Sequence, residues 1–241
     1  MRWFVRRGLR VLMYHKVSPD TPDELTVTTA QLDAQLRWVG REGFHFVTVA
    51  DVIRAAAGGS PLPEWPVLVT FDDAYLDTHE CARPVLRELG VPAVVFVPTA
   101  FVGKTNVWDG GDRPLMNVEQ LRELSGDGVE LGLHSHDHVN YAELTPAQIS
   151  DDVRKSFAAL AAWSLTPVPA LAYPYGRRPD GAARVAMETA LRESGVQAAF
   201  RIGNRVNSWP LRQPFDINRL GVRGDEEVGA FQRKVFWGRW L

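Results

Sequence analysis

Short apolar runs alternate along the chain with longer stretches in which hydrophobic residues recur every three or four positions. The runs are LRVLMYH (9–15), FHFVTV (44–49), PVLVTF (66–71), AVVFVP (93–98), VELGLH (129–134), ALAYPY (170–175) and AAFRI (198–202), with a weaker eighth in INRLGV (217–222). They are continuous rather than strictly alternating and rich in valine and aromatics, as strands covered on both faces are. Helical stretches fit between most of them. Leu32, Leu36 and Val39 fall at i, i+4 and i+7 after Thr28 and Thr29, both candidate N-caps, and Gly43 follows. DTHECARPVLRELG stops at Gly90, a third stretch opens at Thr145 with Pro146 at the first helical position, and a fourth over 180–194 ends before Gly195. Alternating strand and helix predicts a parallel sheet. Seven or eight such units over 241 residues predict an α/β barrel close to the (β/α)8 type, with one unit irregular or missing. An open doubly wound sheet is the rival, but no glycine-rich phosphate loop follows any of the strands.

Composition narrows the setting. About 45% of the residues are apolar, and no repeat, low-complexity tract or long linker divides the chain, so residues 1–241 read as one catalytic-sized domain. Twenty-seven basic against 29 acidic side chains leave a net charge of -2, which argues against a nucleic-acid partner. Cys81 is the single cysteine, so no internal disulfide can form and nothing points to an oxidising compartment. The apolar run VLMY near the N-terminus is too short for a signal-peptide core, and no window approaches a membrane span. The expectation is a soluble, cytoplasmic protein.

In parallel α/β folds the chemistry lies where strands end and their following loops begin. His15 ends the first run, Asp72 and Asp73 end the third, and His134 ends the fifth with His136 and His138 just beyond. Tyr173, Pro174 and Tyr175 end the sixth, and Arg219 lies within the eighth. Adjacent buried carboxylates repel unless something positive stands beside them. On an extended chain Asp72 and Asp73 point different ways, so one could bind a metal while the other faces a substrate. The competing role is helix capping, which aspartate favours. In LHSHDH, His134 and His138 share a face whether the segment is helical or extended. With a carboxylate they would make the three-ligand set of a hydrolytic zinc site. The competing reading is a satisfied polar turn, and His136 reads as an exposed loop histidine.

TFDD, then HSHDH, then YPYG, in that order after successive strands, resembles the polysaccharide deacetylase family, the NodB-homology or carbohydrate esterase 4 group. LMYHKV, LDAQLRWVGREGFHFVTV and the stretch from WDG through MNVEQLRELSGDGVELGLHSH resemble its poly-N-acetylglucosamine deacetylase branch. The resemblance implies a distorted (β/α)7 barrel and an enzyme that removes acetyl groups from N-acetylated sugars of a surface polysaccharide or its precursor. It implies Asp73, His134 and His138 as ligands of one divalent metal, with Asp72 as general base. The Tyr175 N–H would hold the oxyanion, and His15 would be the general acid. Zinc suits the ligand set, as do cobalt, nickel or iron.

Two departures stand out. The family's arginine before Pro-Tyr falls at Ala172, and the family's glycine after the second aspartate is Ala74. Arg219, on the same rim, is the candidate substitute for the arginine. The loss leaves a non-catalytic glycan-binding module on a degenerate barrel as a rival; a second rival is a hydrolase of a non-sugar amide, since related barrels accept cyclic amides and imides. Trp108 and Asp109 are candidates for a sugar groove, while His45, His79 and Tyr75 read as structural or surface residues. The termini carry Arg2, Trp3, Arg6, Arg7 and Arg10 at one end and Phe231, Arg233, Lys234, Phe236, Trp237, Arg239 and Trp240 at the other. They read either as a weak peripheral contact with the inner face of a membrane or as an aromatic helix packed on the barrel with solvated arginines. Oligomeric state is not legible.

Overall fold

The computed structural model describes residues 8–238. Ten strands form: β1 (Arg10–Tyr14), β2 (Lys16–Ser18), β3 (Thr26–Thr28), β4 (His45–Phe46), β5 (Pro66–Phe71), β6 (Ala93–Val97), β7 (Glu130–Leu133), β8 (Ala170–Ala172), β9 (Ala198–Ile202) and β10 (Ile217–Gly221). The helices are α1 (Thr29–Arg41), α2 (Val49–Ala56), α3 (Arg83–Leu89), α4 (Val118–Gly126), α5 (Pro146–Ala162), α6 (Gly181–Glu193) and α7 (Val228–Trp237). The parallel order β1-β10-β9-β8-β7-β6-β5 closes on itself because β1 also pairs with β5, from Arg10 opposite Val67 to Tyr14 opposite Phe71. The result is a seven-stranded parallel barrel with helices outside.

The run 44–49 is not a barrel strand. Only His45 and Phe46 pair, at the start of β5, before Thr48 turns the chain into α2. The cause is local. Thr48 accepts from the Asp51 N–H, while the Asp51 carboxylate accepts from the Thr48 N–H, a capping box that starts a helix where the apolar run suggests more strand. The weaker run 217–222 supplies the seventh strand instead. Between β9 and β10 there is no helix, so the barrel is irregular there as well. Pro84 lacks an N–H and crowds the carbonyl four residues back, and the chain before it takes a wider turn over Thr78–Ala82 before α3 begins.

Strand parity divides the core. Leu9, Val11, Leu68, Val94, Phe96, Ala170, Ala172, Ala198, Phe200 and Ile217 fill the barrel interior, whereas Leu12, Val67, Val69, Val95, Leu171, Ala199 and Leu220 pack under the helices. A Cβ on Gly132 would stand 2.6 Å from the Phe96 ring, so β7 must be bare there for that ring to fit.

Arg10 departs from the solvated reading. It is fully buried, beneath α7. Its Nε donates to Val235 O at 3.0 Å and a terminal nitrogen to Phe236 O at 3.3 Å, with a further bond to Gly8 O. The last turn of a helix leaves carbonyls without partners, and a cation is favoured there. The guanidinium also lies 4.7 Å from the Trp65 ring centroid and 5.3 Å from that of Phe44. Phe236 packs its ring against Trp38, Phe44 and Trp65, and Phe231 is buried. The aromatic-packing reading of α7 therefore describes these two residues, while Trp237 stays 64% exposed. Arg2, Trp3, Arg6, Arg7, Arg239 and Trp240 lie outside the described residues. No described helix is long and apolar enough to cross a membrane. Arg10→Ala should lower the unfolding free energy by about 3 kcal/mol, because buried carbonyls lose their donor and a cavity opens. Arg10→Lys should recover only part, since a single ammonium nitrogen cannot span the three carbonyls that the separate guanidinium nitrogens reach. Urea unfolding followed by tryptophan fluorescence reads both values.

Candidate active site

The second barrel strand in chain order, β5, delivers both carboxylates. Asp72 continues the parity of Leu68 and Thr70 and so points into the barrel mouth, with its N–H donating to Tyr14 O at 3.0 Å. From β10, one strand removed across β1, Arg219 shares the parity of Ile217. The two meet as a fork: the Arg219 terminal nitrogens donate to Asp72 Oδ1 at 2.6 Å and Oδ2 at 2.7 Å. Asp72 is 2% exposed and Arg219 fully buried. Burial alone would raise the Asp72 pKa, but Arg219 first, then His134 and His15, outweigh it and hold the carboxyl below its usual range. The small side chains of Ala170, Ala172 and Ala198 leave room for the long arginine, whose guanidinium carbon lies 5.7 Å from the Phe96 ring centroid.

Asp73 turns the other way because its backbone is left-handed, at φ 70°, followed by Ala74 at φ 55°. His134 leaves β7 with its N–H on Val97 O, and His138 arrives after a turn in which Ser135 and His138 also have positive φ, 64° and 51°. Asp73 Oδ1 stands 3.2 Å from both His134 Nε2 and His138 Nε2. Candidate ligand atoms of these three buried residues all lie within 4.8 Å of one another. His134 Nδ1 donates to Ala172 O at 2.8 Å, so in the neutral ring Nε2 presents a lone pair. Asp73 Oδ1 is buried without a hydrogen-bond partner among the described residues. Lone pairs converging on an unsatisfied carboxylate oxygen fit a divalent cation, and the N, N, O set fits a hydrolytic metal. Burial pushes the His134 imidazole down, but Asp72 and Asp73 more than offset it, so a proton competes for the place a cation would take.

His15 follows β1 and is half-buried, its Nε2 3.8 Å from Asp72 Oδ2. Burial lowers its pKa, against the opposing pull of Asp72 and Asp73. Tyr175 sits at φ 58°, ψ 8° in a tight turn after β8, and its N–H makes no hydrogen bond to the described residues. Its exposed ring is 5.0 Å from that of His138. Trp108 stacks on the His138 ring, with centroids 4.2 Å apart. One of its faces is therefore occupied by an imidazole, and Asp109 Oδ1 accepts from Asn106 at 2.7 Å. An open groove of about 860 Å³ runs from His138 and Tyr175 past Asn140 and Glu143 to Arg177, large enough for sugar units. His136 lies beside the centre, its Nδ1 2.8 Å from Thr99 Oγ1. His45 contacts Glu64 O, His79 pairs with Glu123, and Tyr75 is buried with its hydroxyl accepting from Asn106. Sequence reasoning missed Asp152, a buried acid that binds the turn between the histidines. Its signal is an acid in the buried stripe of α5, with Ile149, Val153, Ser156 and Leu160.

With the geometry described, comparison with known proteins shows what the chain is similar to. Residues 59–194 match the family described as polysaccharide deacetylase. The poly-β-1,6-N-acetyl-D-glucosamine N-deacetylase of Staphylococcus epidermidis is 26% identical over 209 residues, covering 83% of this chain and 69% of that one. The solved structure of IcaB from Ammonifex degensii superposes with a TM-score of 0.78 at 27% identity, over 96% of this chain and 97% of that one. The Streptococcus pyogenes deacetylase PplD shares the fold, with a TM-score of 0.79 at 20% identity over 95% and 99% of the two chains.

The left-handed backbone at Ala74 gives a test of how this rim is built. An alanine there carries roughly 1 kcal/mol of strain. Its methyl is fully buried, and removing a buried carbon costs about 0.8 kcal/mol. The two terms nearly cancel, so Ala74→Gly should stay within about 0.5 kcal/mol of the parent. Ala74→Val adds both strain and volume and should cost about 2–3 kcal/mol. Thermal and urea melts of the two variants measure the difference.

Proposed function

The chain belongs to the polysaccharide deacetylase family, and from that premise we propose that it is a metal-dependent hydrolase. It removes the acetyl group from an N-acetylated sugar of a cell-surface polysaccharide or its precursor and releases acetate. The observation that carries this reading is the pairing of two devices at one barrel mouth: a carboxylate held ionised by Arg219 and, beside it, three convergent ligand atoms on Asp73, His134 and His138. The Staphylococcus epidermidis relative makes β-1,6-linked N-acetylglucosamine polymers the first substrates to test.

Asp73, His134 and His138 hold the metal, for which zinc, cobalt, nickel and iron all suit the ligands. When bound, such an ion lowers the pKa of water and polarises a carbonyl. Asp72 is the base: Arg219 occupies one lone pair on each carboxylate oxygen, which fixes the plane and leaves the remaining lone pairs to take the proton of the attacking water. Charge developing on the acetamide oxygen is met by the Tyr175 N–H, aimed by its left-handed backbone. The departing nitrogen must be protonated as the C–N bond breaks, and His15, across from Asp72, supplies that proton. In this reading Arg219 does for Asp72 what the absent arginine at Ala172 does in the family pattern, and the fork between them supports a catalytic rather than a degenerate barrel.

Two experiments separate the roles. Asp73→Ala and His134→Ala should lose bound metal and acetate release together, whereas Asp72→Asn should retain metal and lose about 10²–10⁴-fold in kcat. An Asp72→Asn protein within a few-fold of the parent would remove it as base. Arg219→Ala should leave Asp72 buried without its cation and cost at least about 100-fold in kcat/KM, with Arg219→Lys recovering only part because the fork is lost. Unchanged turnover in Arg219→Ala would sink the substitution of Arg219 for the missing arginine.

A further inference from the structure

His134 and His138 reach the site from opposite ends of a five-residue turn, which the Ala100 N–H holds at His136 O and Thr99 at the His136 ring, and into which α5 sends one buried acid. Asp152, on α5, is 6% exposed. Its Oδ1 accepts from the Ser135 hydroxyl at 2.8 Å and from the His136 N–H at 2.9 Å, and its Oδ2 accepts from the Tyr141 hydroxyl at 2.6 Å. All three donors lie within residues 135–141. Ser135 Oγ accepts in turn from the Val139 N–H at 3.2 Å, closing the loop on itself. No cation pairs with Asp152 among the described residues, although an acid buried in an apolar helix face is costly. The three hydrogen bonds offset that cost only while the turn keeps its shape, with Ser135 and His138 in the left-handed region. We infer that Asp152 is a positioning residue for the metal site: it fixes the Ser135–His138 turn so that His134 Nε2 and His138 Nε2 both face Asp73 Oδ1. It touches neither metal nor substrate and acts through the two histidines, as the partners of ligating residues do. The inference rests on the reading that Asp73, His134 and His138 hold the metal.

The test is titration of the full-length chain, stripped of metal with chelator, with cobalt(II) chloride, reading affinity by calorimetry and ligand geometry from the visible absorption bands. Asp152→Ala should bind cobalt roughly 10–100-fold more weakly, with altered bands, while its far-ultraviolet circular dichroism stays that of the parent. Asp152→Asn keeps an acceptor for Ser135 and His136 and should recover to within about three-fold. Tyr141→Phe removes one of the three bonds without changing shape, so it keeps the inference testable if Asp152→Ala does not fold; a loss of about two- to five-fold is expected. Ser156→Ala is the control, since its hydroxyl bonds only the Asp152 carbonyl one turn back and should leave affinity unchanged. Parental affinity and bands in folded Asp152→Ala, or in Tyr141→Phe where the alanine variant does not fold, overturn the inference, as does an equal loss in Ser156→Ala. Failure of the parent itself to bind cobalt overturns the metal-site reading and this inference with it.

Discussion

The fork between Arg219 and Asp72 fixes the charge balance on which the rest of the site depends. Two carboxylates on adjacent residues at the dry end of a barrel are unstable together, since each disfavours the ionised form of the other. Arg219 neutralises one of them through two bonds of 2.6 and 2.7 Å, and the second keeps an oxygen with no donor among the described residues. One buried negative charge is left over, facing two imidazole nitrogens. That charge favours a cation, and the nitrogen and oxygen donors suit a divalent metal. Without Arg219 the negative charges would number two, and burial would favour the protonated form of Asp72.

The arginine's change of place depends on barrel geometry rather than on sequence order. A motif written along one strand describes where a side chain starts, but the reaction needs only where its guanidinium ends. Ala172 and Arg219 stand on β8 and β10, on either side of β9, and both point into the interior. Alanine at position 172, with Ala170 and Ala198, keeps the side chains small along that part of the interior, and the bare Gly132 makes room for the Phe96 ring near which Arg219 lies.

Much of this was legible from the chain alone. Apolar runs ending in polar residues placed Asp72, Asp73, His134 and Tyr175 on one rim, because strand ends and active-site rims coincide in parallel α/β folds. What escaped was settled by contacts distant in sequence. The run 44–49 looks like a strand by hydropathy, and its own Thr48–Asp51 box overrules that within two residues; the signal was present but competed with a stronger one. Arg10 sits in a basic segment, and nothing nearby announces that the carbonyls of Val235 and Phe236 will enclose it. Asp152 is 14 residues from His138, on a helix whose period marks it as buried but not as bonded to a turn. Pairings across such distances leave no local pattern, only residues whose polarity is wrong for their periodicity.

Backbone strain shows where such pairings matter. Of the eight non-glycine residues with positive φ among those described, five are Asp73, Ala74, Ser135, His138 and Tyr175, all on the rim. Each costs on the order of 1 kcal/mol, so together they consume a sizeable part of an ordinary domain's stability. They persist because fixed groups hold them: the Met116 N–H on Ala74 O, Asp152 on the turn through Ser135, and the close approach of Gly176 to Ile202, where a Cβ would stand 2.4 Å from the isoleucine side chain. The strained turns bring a carboxylate oxygen and two ring nitrogens together. A relaxed backbone would not do this, because extended residues send successive side chains to opposite faces. The barrel therefore supplies rigidity, and the rim uses it to keep in place a geometry that its own short turns would abandon.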